Sequence, residues 1–354
     1  MWNRRAWLWS VASALPAASV PPVAMAQSRS NPAPAAARTP SGRLVLAVEN
    51  RAAFCYLPLT IAERMGYFAA EGLDVQVRDL NEPGQALHAL LSGSAQALSG
   101  PYSQSIALRA RGQSYPSIVL QGRAPQLVLG VSRKTLAGFR DLRDLGGRKV
   151  MVPALGSGGH RMMLVLLASA RLAADAVEFV PVASPSAALA NFRSGLVDAI
   201  CFHDPVITQL EFDGALRVVA DTRTVRGNAE VFGGPMPSGC LSVSAGYLES
   251  NTAECQALVH GLVHALKWLQ TAGLSDINKV VPEAYFKGDR ALYLAAFSRA
   301  REAWSPDGLM PDAGPSTAAR MMARYDEGAP LRQVDLAQTF TNTLALKAKA
   351  RFKA

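Results

Sequence analysis

The chain predicts an α/β protein of two related lobes, each a mainly parallel sheet with helices on its faces. Three observations carry this. Segments of strand and helix character alternate from residue 43 onward, the order that builds parallel sheets with helical crossovers. The alternation restarts near residue 127. An internal echo links the halves: Ser92-Gly93 precedes Ala97 and ends in Gly100-Pro101-Tyr102, and Ser194-Gly195 precedes Ala199 and ends in His203-Asp204-Pro205. At 354 residues the chain is long enough for two domains, and 49% hydrophobic residues are ample for packed cores.

Residues 44–48 form a short apolar run suited to a strand buried on both faces. A polar loop, 49–56, follows. Leu57, Leu59, Ile61, Ala62, Met65 and Phe68 then recur at helical spacing, with Pro58 in the first turn and Gly66 as the stop. Leu73, Val75 and Val77 alternate with polar residues, as in a strand. Helices near 85–92 and 103–111 alternate with strands near 97–99 and 117–121.

In the second half, strands are expected at 127–131, 149–152, 177–182 and 199–202. Between them lie a short helix ending at Gly146-Gly147, a long apolar helix over 161–172 and a helix over 186–193. The turn-rich Gly233-Gly234-Pro235-Met236-Pro237-Ser238-Gly239 then leads into a strand at 240–244. Leu258, Leu262, Val263, Leu266 and Leu269 give the next helix an apolar face. Segments near 291–304, 318–325 and the chain end read as helical.

Residues 1–26 read as a secretory signal: Arg4 and Arg5, an apolar stretch from Ala6 to Val20, then Ala24-Met25-Ala26. Asn3-Arg4-Arg5-Ala6-Trp7-Leu8 also resembles a twin-arginine signal. Residues 27–42, rich in Pro, Ala and Ser, read as a flexible linker. The expected location is therefore the periplasm. The net charge of +9 suits anionic ligands, whereas the lack of a Lys/Arg run interleaved with aromatics argues against nucleic acid. Cys55, Cys201, Cys240 and Cys255 permit disulfides in an oxidising compartment, but their spacing fits no zinc pattern. No metal or cofactor is expected.

The layout resembles the periplasmic solute-binding proteins of ABC importers, in the nitrate/sulfonate/taurine and thiamine-pyrimidine-precursor (NMT1/THI5-like) group. The resemblance rests on Tyr56-Leu57-Pro58-Leu59, Gly66-Tyr67-Phe68, Glu71-Gly72-Leu73-Asp74-Val75, Leu91-Ser92-Gly93, Asp144-Leu145-Gly146-Gly147-Arg148-Lys149-Val150, Ser194-Gly195-Leu196-Val197-Asp198-Ala199 and Phe232-Gly233-Gly234-Pro235. It covers most of residues 43–285. It implies a type II periplasmic binding fold, with lobe I at 43–123 and 233–354, lobe II at 127–230, and two hinge crossovers. It further implies capture of a small polar or anionic solute between the lobes and its delivery, by a monomer, to an ABC permease. A module feeding a sensor is the alternative. A pyrimidine-synthase-like enzyme is disfavoured, because Cys55 stands outside any cysteine cluster and neither G-x-S-x-G nor H-E-x-x-H occurs.

Loops at the C-terminal ends of sheet strands are where such folds hold ligands. Glu49 and Asn50 are candidate hydrogen-bonding groups there, and Phe54 and Tyr56 candidate stacking rings. Gly156, Ser157, Gly158, Gly159 and His160 precede a helix, whose exposed N–H groups and dipole favour an anion. Tyr102 and Ser103 leave one strand and Asp204 another; Asp204 alternatively caps the helix after it. Gly233 and Gly234 are expected at the back of the cleft.

Overall fold

The computed structural model describes residues 42–80, 82, 84–325 and 334–354. The expected leader 1–26 and all of the linker 27–42 except Gly42 lie outside them. Among the described residues, ten strands form two five-stranded sheets. One holds β1 (Leu44–Val48), β2 (Val75–Asp79), β3 (Ala97–Pro101), β4 (Ser117–Leu120) and β10 (Gly239–Val243) in the order β2-β1-β3-β10-β4. The other holds β5 (Leu127–Ser132), β6 (Lys149–Val152), β7 (Glu178–Pro181), β8 (Ala199–His203) and β9 (Leu216–Asp221) in the order β7-β6-β8-β5-β9.

The two orders have the same form. Each sheet places its own strands second, first, third and fourth, with one strand from across the molecule inserted before the fourth. The inserted strand runs antiparallel to both neighbours: β10 to β3 and β4, β5 to β8 and β9. The remaining four strands of each sheet therefore point the same way, so each sheet is mainly parallel, as expected, with one antiparallel insertion.

The internal echo picks out equivalent strands. β3 and β8 are both third strands, both buried up to an exposed last residue, and both entered through a left-handed glycine, Gly93 (φ 75°) and Gly195 (φ 86°). Glycine adopts that conformation without a steric penalty. The fold is a two-lobed α/β structure, as the sequence predicts.

Each lobe has its own core. In the first, the helix Thr252–Thr271 buries Leu258, Leu262, Val263, Leu266 and Leu269 against β1, β10 and the helix Leu57–Arg64. Trp304 is fully buried there, and its indole N–H donates to the Phe54 carbonyl at 2.8 Å. In the second, Val150 and Val152 face the helix Gly158–Ser169 on one side of the sheet, while Met151 and Ile200 face the helices Pro185–Ser194 and Val206–Phe212 on the other. All four cysteines are free thiols. Burial raises the thiol pKa of Cys55 and Cys255 to about 12 and of Cys240 to about 11. Among the described residues, no helix is long and apolar enough to cross a membrane.

Candidate functional site

Strand register brings the exits of both sheets to the crossovers. The inserted strands start where their neighbours end: Gly239 pairs with Pro101 at the end of β3, and Leu127 pairs with His203 at the end of β8. The connections 121–126 and 222–238 thus run past the C-terminal ends of the parallel strands in both lobes. They are fixed there by hydrogen bonds. Tyr102 N donates to Ser238 O (2.8 Å), Leu127 N to Thr222 Oγ1 (2.8 Å) and Asn228 Nδ2 to Arg123 O (3.1 Å).

A cleft of about 240 Å³ opens at this junction. The first lobe contributes Tyr102 and Ser103 at the exit of β3, and the second contributes Gly158, Arg161, Met162 and Val165. Pro125, Leu127, Phe232 and Met236 of the crossovers form its back. A further wall comes from the helix Gly314–Tyr325 through Ala318, Met321, Met322 and Tyr325. The lining is mostly apolar, with hydroxyl groups and one guanidinium among it.

Of the residues expected from the sequence, Tyr102, Ser103 and Gly158 line this cleft together. Tyr102 is fully buried, and its hydroxyl is shared with Thr339 Oγ1 at 2.5 Å, so its O–H is engaged within the first lobe. The glycine-rich loop is organised around its own helix. Ser157 caps the helix by accepting from His160 N at 3.3 Å, and His160 Nδ1 accepts from Gly156 N at 3.0 Å. Burial, followed by the charge of Arg161, lowers the His160 pKa. Gly159 is needed for packing: a Cβ there would lie 2.6 Å from the Cys201 carbonyl of β8.

Loop 49–56 contributes nothing to the cleft lining. Glu49 accepts from Gly84 N at 2.6 Å, at the start of the helix Gln85–Leu91. Asn50 is exposed and left-handed (φ 53°), a conformation Asn tolerates. Arg51 ties the loop down through Asp79 Oδ1 (3.0 Å), Tyr285 Oη (3.1 Å) and an ion pair with Glu63. Phe54, expected to offer its ring to a ligand, packs within the first lobe. The ring is 7% exposed, stacks on Tyr293 at 4.7 Å and packs near Trp304, so the lobe core already occupies it. Tyr56 is buried in the same core.

Asp204 is engaged within its own lobe, just before the helix Val206–Phe212. Its Oδ1 accepts from Thr208 N (2.9 Å) and Thr208 Oγ1 (2.7 Å), and its Oδ2 pairs with Arg223 at 3.1 Å. Gly233 ends the helix Val225–Phe232 in a left-handed conformation, and Gly234 sits under Thr317 of the helix Gly314–Tyr325. They shape the wall beside Phe232 without lining the cleft themselves. Sequence reasoning missed Arg161 and the four methionines Met162, Met236, Met321 and Met322. Arg161, Met162 and Met236 follow or lie within motifs already singled out, but Met321 and Met322 lie more than 80 residues further along.

The family profile described as NMT1/THI5 like matches residues 54–267. A Bordetella bronchiseptica RB50 protein of solved structure is 40% identical over 88% of this chain and 98% of its own, with a TM-score of 0.77. The chain belongs to the NMT1/THI5-like family. The periplasmic aliphatic sulphonate binding protein SsuA of Escherichia coli shares the fold at 18% identity, covering 85% of this chain and 92% of that one, with a TM-score of 0.68. The periplasmic nitrate-binding protein NrtA of Synechocystis PCC 6803 shares it at 14% identity, covering 88% and 89%, with a TM-score of 0.61. No curated protein matches the chain.

Proposed function

We propose that this family member is an extracytoplasmic solute-binding protein that encloses a small solute between its lobes and delivers it, as a monomer in the periplasm, to an ABC permease. The observation that carries the reading is the reciprocal strand insertion, which directs both sets of strand ends onto one cleft bounded by both lobes and both crossovers. Crossovers of this kind let lobes close around a ligand by a hinge motion. The sulfonate- and nitrate-binding roles of the structures that share the fold support it. The leader-like residues 1–26 agree with export.

The thiols support binding over catalysis. The thiolate is the reactive form of cysteine, and burial raises the pKa at Cys55 to about 12.

A thermal-shift panel of sulfonates, carboxylates, pyrimidines and nitrate tests the reading. A compound at 100 times its Kd stabilises the folded protein by about 2.7 kcal/mol, which is several degrees in Tm. A flat response across the whole panel would remove the case for free-solute capture.

A further inference from the structure

The helix Gly314–Tyr325 lies beyond the segment 54–267 that the family profile matches, yet it closes one side of the cleft. Two of its side-chain pairs are divided between the lobes. Ala318 and Met322, four residues apart, pack with Tyr102, Ile106 and Leu120 of the first lobe. Met321 and Tyr325, also four apart, pack against the core of the second, which includes Met162, Val165 and Phe232. Such spacing stacks each pair on its own helix face. Two hydrogen bonds fix the helix across the gap: Tyr325 Oη to Leu164 O (3.1 Å) and Arg320 Nη2 to Phe232 O (2.8 Å).

This arrangement puts four methionines, Met162, Met236, Met321 and Met322, around one cleft. Thioether side chains are flexible and polarisable, and they adapt to apolar ligands of varied shape. Polar groups are few by comparison. The Ser238 hydroxyl is committed to the carbonyls of Gly122 and Ala124, and that of Tyr102 to Thr339. Beyond these two hydroxyls the side-chain donors of the lining are Ser103 and Arg161, few beside the shell of donors that a bare inorganic anion needs.

We propose that the cleft selects organic solutes by an apolar body seated against these methionines, and that the helix Gly314–Tyr325 is the element that sets this specificity. The inference rests on the solute-binding reading above. The polar end of the solute faces Ser103 and the start of the helix Gly158–Ser169, and its hydrocarbon or ring faces the methionines.

The test measures affinity on the full mature chain for methyl, butyl, hexyl and octyl compounds, each as sulfonate, carboxylate and alcohol, with nitrate as an anion lacking a body. Each methylene taken out of water contributes about 0.8 kcal/mol, or about a fourfold gain in affinity. Affinity is therefore expected to climb with chain length until the cleft is full, and nitrate to bind at least 100-fold more weakly than the best hexyl compound. Met321→Gln, a near-isosteric change at a half-buried position, is expected to weaken octyl compounds about tenfold more than methyl ones. Strong nitrate or methyl binding with no gain along the series would overturn the specificity inference and leave solute capture standing. A wild-type gain that Met321→Gln and Met236→Gln both leave intact would overturn the role of the methionines. Failure of every compound to bind would overturn both readings.

Discussion

At Gly159 a single hydrogen in place of a side chain decides how closely a helix approaches a sheet. A Cβ there would meet the Cys201 carbonyl at 2.6 Å and the Pro153 ring at 3.0 Å, and neither backbone can give way without moving β8 or the helix. Gly159→Ala is expected to destabilise the protein by about 1–3 kcal/mol through overpacking, read as a lower urea midpoint; an unchanged midpoint would mean the helix has room to shift. The next residue predicts a pH dependence. His160 holds the loop by accepting from Gly156 N through an unprotonated Nδ1, and its pKa is depressed in the folded state. The folded protein thus binds this proton less readily than the unfolded chain. The stabilisation is present above the ordinary histidine pKa of about 6.5 and is lost as pH falls through the lower, folded value. His160→Asn keeps an acceptor that does not titrate, so its loss of stability between pH 7 and pH 5 is expected to be smaller than that of the wild type.

At the scale of elements, the sequence was most legible where a strand is buried on both faces and, for β3, β6 and β8, preceded by a left-handed glycine. β1, β3, β6 and β8 fall where apolar runs and the Ser-Gly echo place them. β9 and the helix Val225–Phe232 were not read, although Leu216, Val218 and Ala220 alternate with Arg217, Val219 and Asp221. β9 is an edge strand paired only with β5, and its half-buried positions blur the contrast between faces. The same limit explains loop 49–56. Aromatic rings after a first strand fit ligand stacking and core packing equally in sequence terms, and only the distant Tyr293 and Trp304 decide between them. Met321 and Met322 were invisible as site residues for a related reason: their helix reaches the cleft by tertiary packing alone. The assignment of Phe54 to the core has a measurable consequence. Phe54→Ala is expected to cost about 3–5 kcal/mol in the free protein, seen in urea unfolding. A ring reserved for ligand would leave that midpoint almost unmoved and weaken binding instead.

At the scale of the whole molecule, the lobes are joined by charge as well as by chain. Arg223 is 4% exposed and lies among Asp221 (2.6 Å), Asp204 (3.1 Å) and Glu211 (3.3 Å). These carboxylates and their hydrogen bonds hold its guanidinium firmly charged despite burial. Glu211 is also ion-paired with Arg299, whose helix Arg290–Ala300 belongs to the first lobe through Tyr293, Ala296 and Phe297. One carboxylate of the second lobe therefore holds both Arg223, at the start of the second crossover, and Arg299, in the first lobe. A half-buried carboxylate shared by two arginines favours the lobe arrangement that keeps both within reach, because separating either one leaves charge less compensated. Glu211→Gln removes that charge while keeping the side-chain shape, and Arg223 retains Asp204 and Asp221. The variant is expected to fold, to sample wider lobe separations and so to show a larger radius of gyration in solution scattering without ligand. It should also bind its solute several-fold more weakly, since closure then starts from a less populated state. Arg299→Gln, altered on the other side of the same pair, should reproduce both effects, and the double variant should add little to either single one. Full additivity of the two changes, or an unaltered radius in both single variants, would show that the ion pair accompanies the lobe arrangement without setting it.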